Sequence, residues 1–292
     1  MKSDWNDTRH DVNGLALHWV EAGPPKGPLL ILLHGFPEFW WGWHHHITPL
    51  AEQGFHVIAL DMRGYNLSDA PQEIDAYRLD ALVADVVALA DHHGAESFQL
   101  VGHDWGGVVA WSVAARHPQR LTRLVVMAAP HPGQWTREVF KHPTQLVRSS
   151  YVALFQLPWL PEALLQGFGF ASLRTTLIGS ANPSTFSSDD LARYAEAWSQ
   201  PGALTGMLNY YRALRERTSF DHAARIEPRT LILWGEKDRF LEAHLARAAL
   251  ELCDDARLEI VPGTTHWLHH EAPERIGTLL AGFLKADKMS RA

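Results

Sequence analysis

Short apolar runs recur along most of this chain, each bounded by Gly, Pro or Asp and followed by a longer amphipathic segment. Such alternation is typical of the strands and helices of a mostly parallel sheet. The first two runs are joined by Asn13-Gly14, a hairpin signal, whereas each later pair is far enough apart for a crossover helix. The sequence therefore predicts an α/β fold with an eight-stranded, mostly parallel sheet whose strands cover residues 8–12, 15–21, 29–33, 57–60, 98–101, 124–127, 231–234 and 258–261.

This strand pattern stops for about a hundred residues between Met127 and Leu231. The intervening sequence has helical periodicity and is broken repeatedly by proline. We expect a helical cap at 131–217, inserted after the sixth strand, that covers the edge of the sheet where loops carry chemistry. The core would then be formed by residues 1–130 and 218–292, with helices flanking the sheet.

A Gly-x-Asp-x-Gly pattern lies between the fifth predicted strand and the amphipathic helix that follows it, at residues 102–106. The spacing is that of a nucleophile elbow, in which Gly102 and Gly106 permit close approach of the backbone. Asp104 replaces the usual serine and would lie at the helix N-terminus, where the dipole favours a carboxylate. Asp is also a preferred N-cap, so the pattern alone leaves a plain capping aspartate as an equal alternative.

A second loop, HGFPEFWWGW at 34–43, follows the third apolar run. Such a loop can direct the backbone N–H of Phe36, together with that of Trp105, at one point beside the nucleophile as an oxyanion hole. The alternative is a Gly-Pro turn that only ends the strand.

Two loops late in the chain supply an acid and a histidine. Asp238 follows the seventh apolar run and His266 the eighth. The chain order nucleophile, acid, histidine is that of α/β-hydrolases and differs from the order in other triad folds. Glu236 is a rival acid and His269 and His270 are rival bases, but the two histidines lead into the helix expected near residue 273.

The composition argues against several classes of partner. A formal net charge of −7 and no run of Lys or Arg make nucleic acid an unexpected ligand. No apolar stretch is long enough to span a membrane, and the N-terminus lacks the apolar segment of a signal peptide. One cysteine, Cys253, fits a reducing compartment. We expect a cytoplasmic protein that acts on a small molecule, and the sequence leaves open whether it forms a homo-oligomer.

The run His44-His45-His46 raises the question of a metal site. Consecutive helical residues point about 100° apart, so the three side chains cannot all face one ion. A partly solvated helix face is the favoured interpretation, and we expect neither a metal ion nor a cofactor.

Taken together, these residues resemble the α/β-hydrolase superfamily and, within it, the epoxide hydrolase family, which is related to the haloalkane and haloacetate dehalogenases. The patterns HGxPExWxxW and GHDWGG and the late Asp and His carry a resemblance that spans essentially the whole chain. It extends into the predicted cap, where SYVALFQLPWLPE and LNYYRAL look like the two segments that each supply a tyrosine facing the nucleophile. The resemblance implies that Tyr151 and Tyr211 are these tyrosines. Tyr210 stands where the family usually has tryptophan, which leaves the choice between the adjacent tyrosines open.

A carboxylate nucleophile restricts the chemistry. Attack on an ester carbonyl would give a reactive anhydride, so aspartate suits displacement at an sp³ carbon. Asp104 would form an alkyl-enzyme ester, and His266, oriented by Asp238, would activate water to hydrolyse it. An epoxide leaves as an alkoxide and needs an acid, which a pair of tyrosines would supply.

The main alternative is a haloalkane or haloacetate dehalogenase on the same scaffold, because a halide needs only N–H dipoles. Haloalkane dehalogenases generally have a second halide donor, often Asn after His-Gly, and this chain has Phe36. Haloacetate dehalogenases carry Arg after the nucleophile, and Trp105 stands there instead. A third hypothesis, a non-catalytic small-molecule-binding protein, would be indicated by a missing triad member, and none is missing. The sequence therefore predicts an epoxide hydrolase that forms a vicinal diol without a cofactor or metal.

Overall fold

The computed structural model describes residues 5–215 and 225–285, and it contains one eight-stranded sheet. Each strand lies within three residues of its predicted limits, so the predicted fold class is confirmed. The strands are β1 Asn6–Val12, β2 Leu15–Ala22, β3 Leu29–Leu33, β4 His56–Asp61, β5 Phe98–His103, β6 Leu121–Met127, β7 Thr230–Gly235 and β8 Ala256–Val261.

The sheet order is β1-β2-β4-β3-β5-β6-β7-β8. β1 pairs antiparallel with β2, β2 pairs antiparallel with β4, and the remaining neighbours are parallel. Every residue of β3, β4, β5 and β7 is buried, because helices cover both faces of the sheet there. The edge strand β1 is mostly exposed, as its polar sequence requires.

Two apolar cores lie on opposite faces of the sheet. The core helices are α1 His44–Glu52, α2 Leu79–His92, α3 Trp105–Arg116, α10 His244–Leu250, α11 Leu268–Glu271 and α12 Pro273–Lys285. One face of the sheet is covered by α2, α3 and α10, and the other by α1, α11 and α12. Within the described residues, no helix is both long and apolar enough to cross a lipid bilayer.

Among the described residues between β6 and β7, where the sequence predicts the cap, there are six α-helices. They are α4 Pro132–Lys141, α5 Pro143–Arg148, α6 Tyr151–Phe155, α7 Leu160–Ser180, α8 Ser188–Trp198 and α9 Ala203–Arg212. Helix α7 is interrupted at 167–170, where Phe168, Gly169 and Phe170 adopt left-handed backbone conformations. The limits 131–217 remain a proposal, since residue 217 and the start of the last core segment at 218 lie outside the described residues.

Candidate active site

Asp104 forms the turn between β5 and α3, with φ of 49° and ψ of −119°. The turn is tight enough to require glycine on both sides. A β-carbon on Gly102 would lie 2.3 Å from the carbonyl oxygen of Gly106, and one on Gly106 would lie 2.3 Å from that of Leu33. The Asp104 side chain makes no capping hydrogen bond to α3, which removes the plain N-cap interpretation. Instead it points away from the helix, and the strained φ is a feature often found at functional sites.

The loop after β3 meets this carboxylate. The backbone N–H of Phe36 donates to Asp104 Oδ1 at 2.8 Å. Gly35 makes the approach possible, because a β-carbon there would lie 2.3 Å from the Asp104 β-carbon. Trp105 is the first residue of α3, and its indole ring contacts the ring of Tyr211 edge-on at 5.1 Å. Of the two predicted oxyanion-hole donors, the backbone N–H of Phe36 is thus directed at the Asp104 carboxylate.

The loops after β7 and β8 bring Asp238 and His266 to the same edge of the sheet. His266 Nδ1 lies 2.8 Å from Asp238 Oδ2, and its Nε2 lies 3.6 Å from Asp104 Oδ2. The other Asp238 oxygen accepts hydrogen bonds from the backbone N–H groups of Phe240 and Leu241, at 2.8 and 2.9 Å. These bonds hold the Asp238 carboxylate in place. Asp238 in turn orients the His266 ring, which lies between Asp238 and Asp104.

Two opposing effects act on the pKa of His266. Burial alone would lower it, but Asp238, together with the hydrogen bond and charge of Asp104, outweighs burial and raises the pKa to about 10. The imidazole is therefore protonated at neutral pH. Any change that removes the negative charge of Asp104 therefore lowers the pKa of His266.

The rival residues considered from sequence are engaged elsewhere. Glu236 is exposed, and its Oε2 accepts from the backbone N–H of Gly263 at 2.8 Å. The rings of His269 and His270 lie 3.1 and 2.7 Å from the carboxylate of Glu38. Of the candidate acids and bases, the structure brings Asp238 and His266 to Asp104.

A cavity of about 260 Å³ lies between the sheet edge and the cap helices. The Asp104 carboxylate and His266 line one side, and the rings of Tyr151 and Tyr211, 5.9 Å apart, line it from α6 and α9. Apart from these four residues its lining is largely apolar, consisting of Phe36, Pro37, Phe155, Leu165, Leu173, Thr176, Phe240 and Trp267. Such a lining favours a substrate with an apolar body.

The structure distinguishes the two adjacent tyrosines of α9. Tyr211 faces the cavity, whereas the hydroxyl of Tyr210 donates to the backbone carbonyl of Arg63 at 2.9 Å and lies outside it. Burial raises the pKa of both Tyr151 and Tyr211, and the charge of Asp104 raises each further. Both cavity phenols therefore keep their protons and can act as donors toward a ligand.

A buried carboxylate that sequence reasoning missed lies behind the triad. Glu38 Oε1 accepts from the Tyr194 hydroxyl at 2.6 Å and from His270 at 2.7 Å. His103 bridges this cluster to the triad, since its Nδ1 lies 3.2 Å from Glu38 Oε2 and its Nε2 lies 3.0 Å from the backbone carbonyl of His266. Glu38 is part of the HGFPE loop, but its partners come from distant parts of the chain, so only the fold reveals the cluster.

The chain is similar over most of its length to known hydrolases. The family described as alpha/beta hydrolase fold matches residues 28–273. The AB hydrolase superfamily protein YfhM of Bacillus subtilis (strain 168) is 43% identical over 94% of this chain and 96% of its own length. Epoxide hydrolase 4 of Mus musculus is 38% identical over 94% of this chain and 78% of its own length.

Solved structures agree with the sequence comparison. The crystal structure of Epoxide Hydrolase A from Mycobacterium thermoresistibile superposes with a TM-score of 0.86 at 30% identity. The match covers 97% of this chain and 98% of that one. Both the sheet and the inserted helices are therefore shared with that structure.

Proposed function

The chain belongs to the α/β-hydrolase family and is an epoxide hydrolase, and we propose that it opens its substrate to a vicinal diol through a covalent ester on Asp104. The observation that carries this proposal is the cavity itself. The Asp104 carboxylate faces two protonated phenols across a space of about 260 Å³. That arrangement suits attack on a strained carbon from one side and protonation of the leaving oxygen from the other.

In the first step, an Asp104 oxygen attacks one epoxide carbon and the carbon–oxygen bond breaks. The oxygen that leaves would be a strongly basic alkoxide, so it takes a proton from Tyr151 or Tyr211 as the bond breaks. General-acid help of this kind is typically worth ~10²–10⁴ in rate. The product of the step is a hydroxyalkyl ester of Asp104.

Formation of the ester changes the state of His266. Asp104 loses its negative charge, and with it the contribution by which Asp104 raises the pKa of the imidazole. The pKa of His266 therefore falls, and the proton that His266 gives up returns the tyrosinate to its phenol. The neutral ring, still oriented by Asp238 at 2.8 Å, becomes a general base.

In the second step, His266 takes a proton from water, and the resulting hydroxide adds to the ester carbonyl of Asp104. The N–H of Phe36 already lies 2.8 Å from Oδ1 and can stabilise the negative charge that develops there, with the N–H of Trp105 proposed as a second donor. Collapse of this intermediate releases the diol as the proton on His266 passes to the departing oxygen, and the carboxylic acid left at Asp104 then gives its proton to His266, which restores the starting state. Each step uses side chains, backbone N–H groups and water.

We also propose the size class of the substrate and the cellular compartment. The cavity is too small for a macromolecule, which supports a small-molecule epoxide as the substrate. Cys253 is a free thiol, which supports a reducing compartment such as the cytoplasm.

A paired assay of diol and halide tests this function against the dehalogenase alternative. Purified enzyme is given an epoxide and a haloalkane with the same apolar carbon skeleton, and diol and halide release are measured in parallel. We expect diol formation by wild type, its loss in Asp104→Ala, and no comparable halide release. Halide release with a kcat/KM equal to or above that for the epoxide would contradict the proposal.

A further inference from the structure

Three histidines from distant parts of the sequence meet near the protein surface. His44 and His45 begin α1, and His270 lies in α11. One ring nitrogen from each lies within 4.8 Å of the other two. We propose that these three side chains form a binding site for a divalent transition-metal ion of the zinc type, separate from the catalytic cavity.

The hydrogen bonds of two of these rings leave one nitrogen of each free for a metal. His44 Nδ1 lies 2.6 Å from the backbone carbonyl of Trp41, which can only accept, so Nδ1 carries the proton and Nε2 keeps its lone pair. His270 Nε2 lies 2.7 Å from the carboxylate of Glu38, so its Nδ1 is the free nitrogen. A carbonyl or carboxylate behind the imidazole is the usual arrangement for metal-binding histidines, because it fixes the tautomer and makes the ligand more basic.

His45 provides the open side of the site. It is exposed, and among the described residues no hydrogen bond to its ring is observed. Its ring lies 3.8 Å from the ring of His44, and its exposed side leaves the ion a path from solvent. Asp190 lies close enough to act electrostatically on both His44 and His45, so its carboxylate offsets part of the charge of a bound cation.

The distances allow coordination after a small adjustment. Zinc–nitrogen bonds of about 2.0–2.1 Å in a tetrahedron place the ligand nitrogens about 3.4 Å apart. The ring nitrogens lie within 4.8 Å of one another, so reaching this spacing requires shifts of little more than 1 Å, to which the exposed His45 can contribute. Water would fill the fourth position.

This arrangement also revises the expectation for the His44-His45-His46 run. The three consecutive rings do not converge, as their helical spacing requires, since His46 is buried and contacts the backbone carbonyl of His269 at 3.0 Å. The third member of the cluster comes from α11 instead. A ligand set of this kind cannot be read from the local sequence.

Three other groups of histidines and acids in the described residues are less suitable. Glu138, beside His142 and His244, is bonded to Lys141 at 2.8 Å and lies near Arg137, and these cations would repel a metal ion. In the group of Glu21, His56 and His93, both oxygens of Glu21 already accept hydrogen bonds. The third group, Glu38 with His269 and His270, is fully buried and has no open side.

Zinc titration of the full-length, chelator-treated protein tests the site. Isothermal titration calorimetry with Zn²⁺ at pH 8 would compare wild type with His45→Gln and His44→Gln, and thermal melts with and without Zn²⁺ would show whether the metal stabilises the folded chain. His142→Gln is the matched control, because it removes a histidine from another candidate group.

We expect one saturable site in wild type and in His142→Gln, and at least about tenfold weaker binding in the two other variants, the scale typical of damage to a histidine site. Zn²⁺ should raise the melting temperature of wild type and not that of His45→Gln. Absence of saturable binding in wild type, unchanged binding in His45→Gln, or loss of binding in the His142→Gln control would overturn the proposal.

Discussion

At the scale of single residues, the proposed chemistry depends on two phenols that stay protonated beside the Asp104 carboxylate. Burial keeps the pKa of Tyr151 and Tyr211 above the ordinary value, and the charge of Asp104 acts in the same direction. Such a phenol is a poor acid toward water but a suitable donor to an alkoxide, which is far more basic. The proposed mechanism of epoxide opening therefore requires at least one of these hydroxyls, whereas release of a halide would require neither.

Replacement of these tyrosines by phenylalanine tests that requirement. Either single variant should slow ester formation on Asp104, and Tyr151→Phe/Tyr211→Phe should slow it by ~10²–10⁴, the usual worth of a general acid. Stopped-flow measurement of the ester-formation rate on an epoxide gives the readout. Thermal melts should change little, because the rings that pack around the cavity remain.

Tyr210→Phe is the matched control for this experiment. Its hydroxyl bonds to the carbonyl of Arg63 outside the cavity, so the variant should lose roughly 1–3 kcal/mol of stability while forming the ester at the wild-type rate. A double variant that forms the ester as fast as wild type would remove the proton-donor role. Slow ester formation in Tyr210→Phe alone would show that packing, and not the hydroxyls, sets the rate.

The placement of most predicted site residues follows from the strands that precede them. Asp104 directly follows β5, Asp238 lies three residues after β7 and His266 five residues after β8, and parallel strands deliver their carboxyl ends to one edge. The choice between Tyr210 and Tyr211 could not be made in this way. Adjacent residues on a helix point about 100° apart, and which one faces the cavity depends on how α9 packs against the core.

At the scale of elements, the nucleophile is held by two backbone segments that approach each other closely. The loop after β3 crosses the elbow between β5 and α3, and Gly35 lies directly against Asp104. This contact positions the Phe36 N–H on the carboxylate at 2.8 Å. The geometry of the oxyanion hole is therefore a property of the two loops together.

Gly35→Ala tests this contact. The added β-carbon would lie 2.3 Å from the Asp104 β-carbon and 2.5 Å from Oδ1, so either the loop or the nucleophile must move. A displacement of about 1 Å can cost about 10²-fold in rate, and we expect kcat/KM for epoxide hydrolysis to fall by at least that order.

Gly282→Ala in α12 makes the same chemical change where a β-carbon meets nothing within 4 Å. It should keep wild-type kcat/KM and gain up to about 1 kcal/mol of stability from helix propensity. If Gly35→Ala retains wild-type kcat/KM, the close approach of the two loops is not needed for catalysis.

The elements differ in how well the sequence predicts them. The core strands were recognisable because burial on both faces gives continuous apolar runs, such as the five buried residues of β3. The individual helices between β6 and β7 were not delimited from sequence. Helix α7 in particular is interrupted at residues 167–170, where two of the left-handed residues are phenylalanines that carry no local turn signal.

At the scale of the whole molecule, the fold joins residues that are far apart in the sequence. Phe36 and Asp104 come from the loops after β3 and β5, Asp238 and His266 from the loops after β7 and β8, and both tyrosines from the inserted helices. The sheet fixes the triad, and the inserted helices close the cavity over it. The alignment of strand ends predicts that such residues meet, because their meeting depends only on the sheet topology.

Contacts made across the molecule were not predictable in the same way. The Glu38 carboxylate binds His269 and His270, more than two hundred residues later in the chain, through bonds that depend on how α11 packs on the first half. The cluster of His44, His45 and His270 depends on the same packing. Neither set of residues has a spacing that a local pattern could reveal.

The central claim is that Asp104, and not water, attacks the substrate, and the origin of the new oxygen tests it most directly. With enzyme in excess over epoxide in H₂¹⁸O, one turnover should give an unlabelled diol and leave ¹⁸O in the peptide that contains Asp104, while the peptide that contains Asp238 stays unlabelled. Mass spectrometry of the diol and of both peptides gives the answer in one experiment. A diol that carries ¹⁸O after this single turnover, with an unlabelled Asp104 peptide, would contradict the covalent mechanism.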